Sequence, residues 1–259
     1  YALDGKVYTA NVTAGNTDDI EIVSVSDRPQ NAPVDLLILK KDAETGNSSP
    51  QGAASLAGAE FQIKYYAGYY DSDPASTGVK AARSWVLKTD SSGRISLRDP
   101  LKVSGDPFYK NSAGVNTLPL GTVTIRETKA PTGYLIDSSL YVRKITAEGS
   151  GETVTTYQSP TVSEKVIRGD LSLVKYEEDP SQDSDQKRPL QGIIFEITSV
   201  TTGRTVQIVT DKYGYASTEQ LGDARGALAY DTYIVHEKNP PDGMSPVRDF
   251  KVTVSGEGQ

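Results

Sequence analysis

The sequence has no cysteine. That absence removes disulfides, thiolate metal sites and thiol nucleophiles together. Histidine occurs once, at His236, so neither a histidine-based triad nor a histidine metal cluster can be assembled, and no metal or cofactor is expected. No apolar run approaches the ~20 residues of a membrane-spanning helix, and no signal peptide opens the chain. Positive charge is also short: 27 Lys and Arg against 34 Asp and Glu leave a net charge of −7. No local basic run reverses that field, so nucleic acid is not an expected partner. Helical periodicity is nearly absent.

What is present is strand-like. Of 259 residues, 36% are hydrophobic, enough for a β-rich protein in which half of each strand faces water. Short alternating runs rich in Val, Ile, Thr and Tyr recur between Gly, Pro, Asn, Asp and Ser: "VDLLILKKD" (34–42), "EFQIKYY" (60–66), "SWVLKTD" (84–90), "IIFEITS" (193–199) and "FKVTVSG" (250–256) are examples. The pattern predicts an all-β protein of antiparallel β-sandwiches.

The runs also repeat in order. "VDLLILKKD" answers "GDLSLVKYEED", "LAGAEFQI" answers "LQGIIFEI", "VLKTDSSGRISL" answers "IVTDKYGYAST", and "VTIRETKAPTGY" answers "YIVHEKNPPDG". Two tandem domains are expected, over 35–168 and 169–259. Residues 1–33 resemble the tail of the first copy and read as the terminal hairpin of a preceding domain. The second copy stops before a closing strand of its own, so the chain reads as a piece of something longer.

Each copy poses the same chemical question. Strand side chains alternate, so Val123, Ile125 and Glu127 share one face, as do Tyr233, Val235 and Glu237. The opening strands do likewise with a lysine: Leu171, Leu173 and Lys175 in one copy, and Lys40 in the other, where Lys41 is a rival because "LLILKK" is apolar on both faces. A buried lone charge is expensive, and a buried pair needs good geometry. The plain reading is a rim salt bridge. The sharper reading is a self-made crosslink: a lysine amine in apolar surroundings loses its proton, becomes a nucleophile, and attacks a side-chain carbonyl while a buried glutamate shuttles the proton. Such a reaction happens once and is not enzymatic turnover.

The "LxLxK" strand, the "L-x-G-[AI]-x-F-x-I" strand, the "TDxxG" turn and "ETKAPTGY" together resemble the Cna B-type (SpaA-like, prealbumin-like) domains of Gram-positive surface adhesins and pilins. The resemblance covers nearly the whole chain, and "HEKNPPDG" is a looser version of its glutamate segment. It implies tandem transthyretin-like, Ig-like sandwiches serving as a stalk of a cell-wall-anchored extracellular protein, with neighbouring domains of the same protein as partners. It also implies isopeptide bonds from Lys40 and Lys175, assisted by Glu127 and Glu237. The family's acceptor is an Asn or Asp on the last strand. Here Glu164 holds that place in the first copy, one methylene longer than Asp, so either a bond or a buried Lys40–Glu pair follows. Asp27 holds it in the leading segment, with its lysine outside the chain or in trans on Lys175 of another copy by strand addition.

Other motifs carry less. "LPLGT" (118–122) has Gly and Thr reversed for a sortase signal and reads as a loop. "FYKNSAG" (108–114) reads as a solvated loop, and "EEDPSQDSD" (177–185) lacks calcium-ligand order. The first copy is longer between lysine and glutamate (127 − 40 = 87 against 237 − 175 = 62), with the excess in 66–83 and 98–118. An alternative function is therefore a ligand-binding adhesin module whose contact surface is Tyr65, Tyr66, Tyr69, Tyr70 and Trp85, facing a host or matrix ligand.

Overall fold

A computed structural model describes residues 1–9, 24–177, 187–222 and 224–258. The first repeat begins with β1 (Ile38–Asp42), β2 (Glu60–Tyr66), β3 (Arg83–Lys88) and β4 (Arg94–Ile95). It continues with β5 (Lys102–Gly105), β6 (Gly121–Lys129), β7 (Leu140–Ile145) and β8 (Thr161–Glu164). One sheet runs β7-β6-β2-β3-β5, and the facing sheet runs β8-β1-β4. Every pairing is antiparallel except β8 on β1, which is parallel with Val162 opposite Lys40 and Glu164 opposite Asp42.

The second repeat has β9 (Ser172–Val174), β10 (Ile194–Ser199), β11 (Thr205–Val209), β12 (Tyr215–Ser217), β13 (Asp231–Glu237) and β14 (Phe250–Val254). Its sheets run β11-β10-β13-β14 and β9-β12. The registers match between repeats: Glu127 lies opposite Phe61, and Glu237 lies opposite Phe195. Among the described residues nothing occupies the place of β8 beside β9.

Each sandwich closes on its own apolar cluster. Phe61, Ile63, Leu87 and Ile125 are fully buried in the first, and Phe195, Ile197 and Val235 fill the second. Each such side chain contributes roughly 1.5–3 kcal/mol by leaving water. A third cluster spans the repeats, with Ala54, Leu56, Tyr134 and Val166 packed against Ala229 and Tyr230.

Alternation predicts that Thr122 and Thr124 face water, yet both are buried. The 66–83 insertion folds over that face, where Thr122 Oγ1 donates to Gly68 O at 2.8 Å and accepts from Tyr70 N at 3.0 Å. The core and the fold-over together correct the aromatic-patch expectation: Tyr65 and Trp85 belong to the sandwich core, and Tyr66 lies on the face that the insertion covers. Tyr65, Tyr66 and Trp85 are 4%, 1% and 1% exposed and cannot present a contact surface. Tyr65 donates its hydroxyl to Leu120 O, and Trp85 donates its indole N–H to Asp106 O. Tyr69 is exposed, and Tyr70 is half-buried with its ring edge toward Tyr66.

Of the leading segment, 10–23 lies outside the described residues. Ala2 bridges Arg28, and Asn31–Ala32 pairs with Asn116–Pro119 of the first repeat. The acidic stretch 177–185 also lies outside the described residues, apart from Glu177. No group of acidic or histidine side chains among the described residues is arranged to hold a metal.

Candidate functional site: a buried lysine between two glutamates

The site is assembled from three strands. β1 brings Lys40 inward between Ile38 and Asp42, and Lys40 and Asp42 are both fully buried while Lys41 is half-buried. β6 brings Glu127 to the same interior after Val123 and Ile125. β8, lying parallel to β1, brings Glu164 two residues after the buried Val162. Lys40 Nζ donates to Glu127 Oε1 and to Glu164 Oε1. It also sits 4.9 Å from the centre of the Phe61 ring, the cross-strand partner of Glu127.

The two carboxylates are held differently. Glu127 Oε2 accepts a hydrogen bond from the Asp137 amide at 2.7 Å, whereas Glu164 Oε2 is buried without a hydrogen-bond partner. Burial pushes the Glu164 carboxyl up to about 8, the Lys40 charge pulls it back, and Glu127 adds to the rise. The acid form is thus favoured near neutrality. Beside the cluster, Tyr134 donates to Asp42 Oδ2 at 2.8 Å and Tyr141 donates to Asp137 Oδ2 at 2.6 Å.

The second repeat holds a partial copy. Lys175 Nζ lies 3.1 Å from Glu237 Oε2, with the lysine side chain 13% exposed and the glutamate side chain buried. Val247 N donates to the same oxygen at 2.6 Å. Glu237 Oε1 has no hydrogen-bond partner.

All four lysine and glutamate positions singled out from sequence therefore meet in pairs, and Glu164 joins the first pair. Asp27 does not: it is exposed in an irregular segment before Asn31. His236 is exposed and faces Asp249 at 2.8 Å. Sequence reasoning missed Asp137 and Val247, whose backbone amides hold the two glutamates. The signal was a shared spacing, since each amide lies ten residues after its glutamate. An amine held against two buried carboxyl groups, one of them in its acid form, has the components for amide formation.

Comparison with known proteins agrees with this architecture. The sequence model of the SpaA prealbumin-like fold domain matches residues 35–160 and 180–259. No curated protein is similar enough to count as a match. Among solved structures, the Bacillus anthracis TIE protein superposes with a TM-score of 0.52 at 21% identity, over 88% of this chain and 32% of its own. The chain thus spans about a third of that protein's length. The C-terminal fragment of the pilus adhesin SpaC from Lactobacillus rhamnosus GG is 16% identical over 88% of this chain and 82% of its own, with a TM-score of 0.44. The minor pilin of Streptococcus agalactiae is 15% identical over 85% and 89%, with a TM-score of 0.29. The chain belongs to the family of SpaA prealbumin-like fold domains.

Proposed function

We propose that this chain is a structural stalk segment of a cell-wall-anchored bacterial adhesin or pilus-like protein. Its domains would be 35–168 and 169–259, preceded by the last hairpin of another in 1–33. It would hold a binding tip away from the wall and resist pulling and proteolysis. The observation that carries the reading is Lys40, fully buried and hydrogen-bonded to Glu127 on β6 and Glu164 on β8. First and last strands of the repeat meet at that lysine.

In this reading Lys40 and Glu164 condense. The lysine nitrogen attacks the Glu164 carboxyl carbon, the new C–N bond forms, and one C–O bond breaks. Starting from the ammonium, two N–H protons are lost: one leaves in the water with the departing oxygen, and the other stays on Glu127. Closing a loop of this size would stabilise the fold by about 5 kcal/mol by analogy with disulfides. The larger effect is kinetic, because unzipping from either end is blocked.

Intact mass of the denatured chain tests it. The expected result is a deficit of one water, with Lys40 and Glu164 in one crosslinked peptide, lost in Glu127→Ala. A full mass would overturn the amide and leave the buried ion cluster as the only tie.

A further inference from the structure

The turn that follows Glu127 is the place where the second repeat docks. Gly133 adopts φ +80°, and a Cβ there would lie 2.7 Å from Ala54 Cβ and 2.8 Å from the Tyr230 ring. Gly52, at φ +55°, has equally little room: its Cβ would meet Tyr230 O at 2.4 Å. Tyr230 O accepts from Ala53 N, and Tyr230 N donates to Ile167 O. Two glycines of the first repeat thus make the seat for one tyrosine of the second.

That seat is linked to the lysine cluster through Tyr134. Tyr134, next to Gly133, bonds Asp42 two residues from Lys40 and bridges Val166, two residues from Glu164. Val166 is fully buried, in one cluster with Ala54, Leu56 and Tyr134 against which Ala229 and Tyr230 pack. Around the rim, Glu44 accepts from Arg168 and Arg225, and Arg225 also pairs with Glu257 at 2.8 Å.

We infer that the second repeat is the outer wall of the first repeat's lysine site: Tyr230 seated on Gly52 and Gly133 keeps water from Lys40, Glu127 and Glu164, and the Lys40–Glu164 amide forms only once the second repeat has docked. The timing rests on the amide proposed above; the sealing does not. Condensation releases water and needs an uncharged acid, and the same desolvation holds Glu164 in that form. The titratable groups facing it are Lys40, Glu127, Tyr134 and Tyr141. Tyr230 is a positioning residue here, because it touches none of the reacting atoms.

The test compares the chain with Tyr230→Ala, Tyr230→Phe and Gly52→Ala, each checked for folding by circular dichroism and thermal melting. Two readouts are taken: the fraction lacking one water, and the rate at which Lys40 is acylated by a small amine-reactive reagent. The expected result is a crosslinked fraction at least fivefold lower in Tyr230→Ala and Gly52→Ala, with Tyr230→Phe like the parent. If the parent carries no bond, the amide reading fails by itself. Acylation of Lys40 at least tenfold faster in Tyr230→Ala then supports the seal, with the timing clause withdrawn. Unchanged crosslinking together with unchanged acylation in both folded variants overturns the inference.

Discussion

The two repeats present the same lysine–glutamate pair in two states of completion. In the first, Lys40 is fully buried and touches two carboxylates, because β8 lies along β1. In the second, Lys175 keeps some exposure, touches one carboxylate, and leaves Glu237 Oε1 without a partner. The strand registers around the glutamates are the same, Phe61 with Glu127 and Phe195 with Glu237. The difference therefore lies in the cover and not in the frame. One added strand converts a partly wet ion pair into a dry cluster.

The sharpest way to break this comparison is to remove each glutamate. Glu127→Ala removes the buried carboxylate that faces Lys40, and it should cost about 3–5 kcal/mol in denaturant unfolding. Glu237→Ala should cost no more than about 2 kcal/mol, because Lys175 can reach water. Equal losses would show that the two sites are equally dry.

The matching glycines give the next largest contrast. Gly133 and Gly243 each lie six residues after their glutamate with positive φ, but nothing lies within 4 Å of a Cβ built on Gly243. Gly133→Ala should therefore cost about 2–3 kcal/mol, the left-handed backbone and the Tyr230 clash together. Gly243→Ala should show the backbone cost alone, near 1 kcal/mol. Thermal melts of both variants would show whether docking accounts for the gap.

Acidity sharpens the chemical side. The Glu164 carboxyl is raised to about 8 by burial, so its reactive acid form prevails below that pH and is lost above it. Crosslinking followed by mass after refolding should stop rising with pH above about 8 if Glu164 is the acceptor, because loss of the acid form offsets the gain in free amine. A rate that keeps rising through pH 9 would point away from Glu164. The smallest effect is expected at the rim, where Glu44→Ala should cost at most about 1 kcal/mol and less at high salt, since that cluster is partly solvated.

Much of this was legible in residues. Alternation in "VTIRET" and "LSLVK" put Glu127 and Lys175 on core-facing positions, and the repeat aligned Lys40 with Lys175. Period two is a local property of strands, so it survives without knowledge of the partner strand. Alternation alone did not separate Lys40 from Lys41, because "LLILKK" is apolar on both faces; the repeat alignment chose Lys40, and the structure buries it while Lys41 stays half-buried. The tyrosines of 64–71 misled for a related reason: a run of aromatics reads as a surface patch until Tyr65 turns into the sandwich core and the insertion folds back over Tyr66.

By itself, the sequence determined the strand order, the repeat, and the placing of one lysine and one glutamate on each interior face, since these follow from local alternation and turn residues. Only the tertiary structure decided that Glu164 completes the first site, that backbone amides ten residues downstream hold both glutamates, and that Tyr230 of the next repeat sits on Gly52 and Gly133. Lys40 and Glu164 lie 124 residues apart in the chain, beyond the reach of local alternation. Burial, which sets the chemistry of every charge in the cluster, is a property of what finally packs around a residue and not of its neighbours in the chain.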